Sequence, residues 1–297
     1  MAAELRAVPG RLDAVVARLL GVPRADVQRA IEAGDVLVDG TPRPKAHRLT
    51  GGERLTVDLS RVRALEPEGP EVPVRWRDAH LVVIAKPAGI PTHPTQGRRS
   101  GTVVNRLLGM GLPLAPGDDP LRPGIVHRLD AGTSGLLVVA LDEEARTGLS
   151  ALFRRHDVER RYLALVRGIP DHERFVVDAP LGRRGARIRL DAATGRRAET
   201  GFRVIERFAA AALLEAMPRT GRTHQIRVHL ASVGHPIVGD ARYGGGGDEA
   251  RRLGLSRPFL HSWRIGFEHP VTGERIDVEE PLPEDLAEAL RRVRGEA

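Results

Sequence analysis

Between Ser60 and Pro73 the chain carries Pro67, Gly69, Pro70 and Pro73 among charged residues. Proline fixes φ and lacks the N–H that helix and sheet interiors need, so this stretch reads as a linker. It divides the chain into a small unit, 11–59, and a much larger one, 74–297. A total of 297 residues, about twice an ordinary domain, fits that division. Hydrophobic residues at 41% beside 29% charged ones exclude wholesale disorder. The absence of cysteine removes disulfides, iron–sulfur clusters and thiol nucleophiles, and suits a reducing cytoplasm, which is the expected location. No apolar run reaches the roughly 18 residues of a membrane span, and Met1–Gly10 is too short and interrupted for a signal peptide.

In the small unit, Leu12, Val15, Val16, Leu19 and Leu20 recur at helical spacing until Gly21 and Pro23 break the pattern. Ala25–Ala33 reads as a second helix, with Val27, Ala30 and Ile31 inward and Gly34 as its stop. Val36–Val38, an Asp39-Gly40 turn and Leu55–Leu59 read as strands. The larger unit offers strands at His80–Ala85, Leu136–Leu141, Tyr162–Val166, Phe175–Val177, Phe202–Ile205 and Ala212–Ala216. Helices are expected at Thr102–Leu108, at Glu143–Arg154 behind an Asp142 cap, from near Thr223 to Val233, and at Glu284–Val293 behind Pro283. With neither βαβ rhythm nor internal repeat, the expected class is α+β with a mixed, largely antiparallel sheet. Gly244–Gly247 precedes no Gly-Lys-Ser/Thr, so it reads as a mobile surface loop and not a phosphate loop.

The net charge is +7, and only Lys45 and Lys86 among the 46 basic residues are not arginine. Residues 154–203 hold 13 basic and 7 acidic residues, nearly the whole surplus. Such a stripe fits a polyanionic partner, most simply nucleic acid, or a solvated arginine-rich surface; charge alone leaves both open.

The segment Gly124-Ile-Val-His-Arg-Leu-Asp-Ala-Gly-Thr-Ser-Gly135 sets polar His127, Arg128 and Asp130 between an apolar pair and the strand from Leu136. A carboxylate at the lip of a sheet needs ion pairs or hydrogen bonds to stay charged, or else Asp130 simply caps the turn. Ser134 lacks the second glycine of a nucleophile elbow, and His93, His127, His224, His229 and His235 fit no standard metal-ligand spacing.

His127-Arg-Leu-Asp-x-x-Thr-Ser-Gly-Leu-Leu137 closely resembles the signature of the RluA/RluD family of RNA pseudouridine synthases. Three further blocks resemble that family in the same order: Lys86-Pro-Ala-Gly-Ile-Pro-x-His-Pro94, Arg161-Tyr-x-Ala-x-Val-x-Gly168, and Thr220-Gly-Arg-Thr-His-Gln-Ile-Arg227 continuing to Gly244. The resemblance implies a pseudouridine synthase catalytic domain with Asp130 as catalytic aspartate and Tyr162 stacking on the target base. It further implies that Arg227 pairs with the aspartate, that Ile226 walls the pocket, and that Arg128 enters the RNA where the flipped nucleotide left. Arg161 stands where many relatives carry lysine. The reaction is an isomerisation, so no cofactor and no metal are expected.

The small unit resembles an S4-type RNA-binding domain through Arg11-Leu-Asp13, Ile31-x-x-Gly34-x-Val36-x-Val38-x-Gly40 and Gly51-Gly52, with Asp39 where such domains commonly carry asparagine. Residues 1–60 hold 9 basic and 8 acidic residues, so it brings little net charge. An S4-like αββ module ahead of this catalytic domain resembles the RluD-like subset, whose implied partner is large-subunit ribosomal RNA. Transfer RNA is the alternative target, and a non-catalytic RNA-binding or ribosome-assembly factor the alternative function. A monomer is the expected state.

Overall fold

A computed structural model describes residues 2–59, 65–95, 98–117 and 119–296; the start of the expected linker, 60–64, lies outside the described residues. The chain falls into two units, one drawn from Met1–Glu66 and Thr95–Arg99, the other from Pro67–Pro94 and Ser100–Ala297.

The first unit runs β1 (Ala3–Arg6), β2 (Gly10–Arg11), α1 (Leu12–Leu20), α2 (Arg24–Glu32), β3 (Val36–Val38), β4 (Thr41–Pro42), β5 (Arg48–Leu49) and β6 (Arg54–Val57). Its antiparallel sheet has the order β1-β6-β3-β4 and so reaches back to Ala3, ahead of the expected start at Arg11. Leu12, Val15, Val16, Val27, Ala30 and Ile31 bury the helices' apolar stripes against Val36, Val38, Leu55 and Val57. Gly21 ends α1 at φ +62, where any Cβ would be strained. Asp39 and Gly40 both take positive φ, the geometry a two-residue hairpin turn demands, and the Asp39 carboxylate accepts the Arg54 N–H at 2.9 Å. Asp13 is fully buried yet charged, because Arg11, Arg24 and Gln28 donate to it at 2.7–2.9 Å; it ties α1 to α2.

The second unit contains β7 (Val74–Arg77), β8 (Leu81–Lys86), α3 (Val103–Gly109), β9 (Ser134–Ala140), α4 (Glu143–Arg155), β10 (Glu159–Arg167), β11 (Arg174–Asp178), β12 (Leu181–Arg184) and β13 (Arg187–Leu190). There follow β14 (Glu199–Arg207), β15 (Ala211–Pro218), α5 (Gln225–Ser232), α6 (Asp248–Arg252), β16 (Leu260–Glu268), β17 (Arg275–Glu279) and α7 (Glu284–Arg294). Nine strands form one sheet in the order β11-β14-β15-β10-β16-β9-β8-β7, with β17 also on β16. Every pairing is antiparallel except β16 with β9, which touch in parallel through His261–Ser134 and Ser262–Gly135. Two antiparallel blocks are therefore joined at this short parallel seam, and the class is α+β with a mixed sheet, as expected. The expected helices form, Thr102 and Asp142 capping α3 and α4 through hydrogen bonds to Asn105 N–H and Ala145 N–H. No helix of the described residues is long and apolar enough to cross a membrane.

Strands β7, β12, β13, β16 and β17 were not legible in the sequence. In β16, polar His261 and Ser262 are buried and disguise a core strand; Ser134 Oγ and His261 Nδ1 lie 2.9 Å apart across the seam. The glycine run 244–247 is also tighter than expected. Gly245 exchanges hydrogen bonds with Gly239 and Asp240, and a Cβ on it would meet the Ile237 carbonyl at 1.7 Å, so close backbone packing, not mobility, explains the glycine.

Gly135 decides the seam. At φ +109, its Cβ would stand 2.2 Å from the Ser262 carbonyl oxygen. Gly135→Ala is therefore expected to cost about 3 kcal/mol or more in urea unfolding, from positive φ and steric overlap together; a loss below about 1 kcal/mol would show that the two blocks can part without cost.

Candidate active site

The chain leaves Gly124, which has φ +70 and would place a Cβ 2.5 Å from the Ala140 carbonyl, and loops over the end of β9. Leu129 is the loop's nail: it is buried, its N–H donates to Thr92 Oγ1 at 3.1 Å, and Thr92 Oγ1 donates back to its carbonyl at 2.8 Å. Fixing Leu129 inward turns its neighbours Arg128 and Asp130 to a cleft of about 550 Å³. Asp130's backbone carbonyl accepts the Thr133 N–H, while its carboxylate meets Arg227 Nη1 at 3.2 Å and lies 3.8 Å from His224 Nε2. The side chain is thus an ion-pair partner and not a turn cap.

Arg227 projects from the first turn of α5. Its Nε and Nη2 grip both oxygens of buried Asp240 at 2.7 and 2.8 Å, and its guanidinium lies 5.0 Å from the Tyr243 ring centroid. That fork leaves Nη1 for Asp130. Burial alone would lower the Arg227 pKa; the pairs with Asp240 and Asp130 outweigh it and raise it. His224, in the left-handed region at φ +55, shares a 2.7 Å hydrogen bond with the Tyr243 hydroxyl. Burial draws its pKa down against the upward pull of Asp130.

Tyr162 lies on β10 opposite Ser262, 7% exposed, and burial pushes its phenol pKa up. Buried Ile226 and exposed Arg128 complete the wall and rim. All five expected residues, Asp130, Tyr162, Arg227, Ile226 and Arg128, therefore line one cleft. Arg161 does not: strand alternation turns it to the other face, where it pairs with Glu159 and with buried Glu215, which Arg203 also holds at 3.1 Å. Part of the basic stripe is spent in this way. Arg154, Arg183, Arg184, Arg187, Arg189 and Arg196 remain exposed, and none has a carboxylate within ion-pair distance among the described residues.

Sequence reasoning missed Asp240, Lys86 and Arg160 as members of the site. Lys86 is fully buried and donates to the carbonyls of Pro87, Ile90 and Ala131 at 2.8, 3.0 and 3.3 Å, tying the 86–90 loop to the residue after Asp130. Burial takes its pKa down to about 7, against the upward pull of Asp130. One of two lysines in an arginine-biased chain, standing at the end of an apolar strand, was the available signal. The histidines each have their own bonds: His229 with Thr200 and the Ala179 carbonyl, His235 with the Arg167 carbonyl, His93 with the Pro94 carbonyl.

The cleft thus combines a carboxylate held by a fixed arginine, a buried aromatic ring and a rim of arginine. Residues 80–232 match the family described as RNA pseudouridylate synthase, and residues 10–55 match the S4 domain. The chain is 40% identical to an uncharacterized RNA pseudouridine synthase of Mycobacterium bovis over 96% of this chain and 95% of that one. It is 39% identical to the ribosomal large subunit pseudouridine synthase D of Nitrosomonas europaea over 96% of this chain and 85% of that one. The structure of human RNA pseudouridylate synthase domain containing 4 superposes with a TM-score of 0.58 at 26% identity, covering 75% of this chain and 93% of that one. Fold and site together define an RNA-modifying isomerase. The chain belongs to the RNA pseudouridine synthase family, in its RluA/RluD branch, and carries an S4 domain.

His127 gives a pH prediction. Its ring stacks on Phe153 at 4.5 Å and its Nε2 accepts the Val138 N–H at 2.9 Å, so the folded site wants it neutral. Burial, with Arg160's charge, lowers its pKa to about 3. Between that value and the unfolded pKa the unfolded chain binds the extra proton, so acidification through this window lowers stability, by up to about 1.4 kcal/mol per pH unit. In His127→Gln, which can still accept the Val138 N–H, urea midpoints are expected to fall less steeply from pH 6.5 downward; equal slopes would refute the assignment.

Proposed function

We propose that this protein isomerises uridine to pseudouridine in large-subunit ribosomal RNA, with Asp130 as the catalytic carboxylate. The observation that carries the reading is the 3.2 Å pair of Asp130 and Arg227 in a cleft that Tyr162 also lines. In the reaction the N1–C1′ bond breaks, a C5–C1′ bond forms, the C5 proton leaves and N1 ends protonated; no atom is gained or lost. A carboxylate that must act on the nucleoside has to stay charged in a closed pocket, and a guanidinium at its back serves that need. Tyr162 offers its ring to the extruded base and recovers part of the few kcal/mol that unstacking costs. Ile226 closes the pocket's apolar wall, and Arg128 occupies the space that the extruded nucleotide vacates in the RNA.

The ribosomal target is supported by relatives at 39–41% identity that bear the name ribosomal large subunit pseudouridine synthase D. In this reading residues 11–59 form an RNA-binding module, joined through 60–73 to the catalytic domain, 74–297. The enzyme is a cytoplasmic monomer that needs no cofactor.

Asp130→Asn should lower single-turnover pseudouridine formation roughly 10³-fold or more while RNA affinity stays within a few-fold; normal turnover by that variant would refute the catalytic assignment. Tyr162→Phe should hold its affinity for a uridine-containing RNA, whereas Tyr162→Leu should lose about 1–3 kcal/mol of stacking. Mapping pseudouridines in cells with and without the gene tests the target: sites lost from large-subunit RNA are expected, and losses confined to transfer RNA would overturn it.

A further inference from the structure

Arg160 is the buried cation of the cleft that neither the family resemblance nor the catalytic reading uses. It lies on the same face of β10 as Tyr162, two residues away, and is 9% exposed. Its Nη2 donates to the carbonyls of Pro218, Arg219 and Thr220 at 2.9, 3.2 and 3.5 Å, and its guanidinium rests 5.6 Å from the Phe153 ring centroid. The Nε is buried and unpartnered, and no carboxylate among the described residues lies within ion-pair distance of the group. Buried guanidinium groups ordinarily stand beside an anion, because carbonyl dipoles offset only part of the desolvation cost.

The third nitrogen, Nη1, faces Gly221. A Cβ on that residue would sit 3.4 Å away, so glycine leaves the space beside Nη1 open towards the cleft. Arg222 follows directly, its Nε held by the Arg197 carbonyl at 3.0 Å, and Arg196 stands at the same rim. Burial and the positive charge of Arg196 both lower the Arg222 pKa, a like-charge pairing without a local counter-ion. The turn itself is stiff. Thr220 Oγ1 donates to Gln225 Oε1 at 2.7 Å, and the same oxygen accepts the Arg222 N–H at 3.0 Å. Three positive groups thus line this end of the cleft around one turn, and none of them has a carboxylate within ion-pair distance among the described residues.

We propose that Arg160, Arg222 and Arg196 form a subsite around Gly221 for a backbone phosphate of the RNA. This rests on the reading of the cleft as the uridine site and deepens it. A phosphate here would fix the strand on the Tyr162 side of the pocket, so that Asp130 meets the nucleoside in a set orientation. It would also supply the counter-charge that the buried guanidinium lacks.

The test is the salt dependence of affinity for an oligouridylate, measured by fluorescence anisotropy with the full chain. Each phosphate contact to a single strand contributes about 0.7 to the slope of log K against log salt. Arg160→Met and Gly221→Ala should each flatten the slope by about that amount. Gly221→Ala is the discriminating variant. The residue has no positive φ and its methyl makes ordinary contact, so the fold and the carbonyl bonds of Arg160 survive while the space beside Nη1 is filled. Wild-type slopes in both variants would overturn the subsite. So would a flattened slope in Arg160→Met with Gly221→Ala unchanged, since the loss would then come from collapse of the 218–220 turn. The readout needs no turnover: absent pseudouridine formation with these slope changes intact would count against the catalytic reading and leave the phosphate subsite standing.

Discussion

A guanidinium offers one planar fork, and Arg227 commits it to Asp240. The remaining nitrogen then points one way, at Asp130, and the cleft takes its chemistry from that direction. Were Asp240 absent, Arg227 could swing onto Asp130 with its whole fork and occupy both of its oxygens. The buried acid restrains the arginine, and the arginine in turn pairs with the half-buried Asp130 through one nitrogen. Tyr243 closes the arrangement, stacked under Arg227 and hydrogen-bonded to His224, so helix α5 presents a preset face to the loop that bears Asp130.

That loop can only be where it is because of the sheet beneath it. The parallel seam between β16 and β9 brings Ser134 and Gly135 against His261 and Ser262, and the Asp130 loop enters β9 at that point. Strand β10, which carries Arg160 and Tyr162, also pairs with β16. Asp130 and Tyr162 thus come from opposite sides of one strand whose own polar residues are buried. The back of the sheet is held differently: Arg203, Glu215, Arg161 and Glu159 alternate in charge across β14, β15 and β10, with Arg275 of β17 reaching the same Glu159. The basic stripe divides in part along these lines. Arg161 and Arg203 become cross-strand ion pairs on Glu215, whereas Arg154, Arg160 and Arg196 line the cleft with no carboxylate within ion-pair distance among the described residues.

Two buried cations close to the site, Lys86 and Arg160, share a design in which backbone carbonyls replace carboxylates. Lys86 uses three of them to stitch the 86–90 loop to Ala131, so its charge does structural work beside Asp130. Arg160 stitches 218–220 with one nitrogen only, which leaves another turned to the cleft. The difference between a point-like ammonium and a forked guanidinium decides which can hold a loop and still meet a ligand.

Much was written in local order. The helices were legible because period 3.6 survives any context, and their ends were marked by Gly21, Thr102, Asp142 and Pro283. Strands with continuous apolar runs, such as β8 and β9, were equally plain. Strand β16 was hidden because its polar His261 is satisfied by Ser134, more than a hundred positions away, and by the Glu280 carbonyl. The motif named Asp130, Tyr162 and Arg227. What the chain in one dimension could not fix was which acid would hold Arg227, which cations would find carboxylates, and which would be left facing the cleft. Those outcomes depend on distances between segments up to about a hundred residues apart, and only the closed sheet sets them.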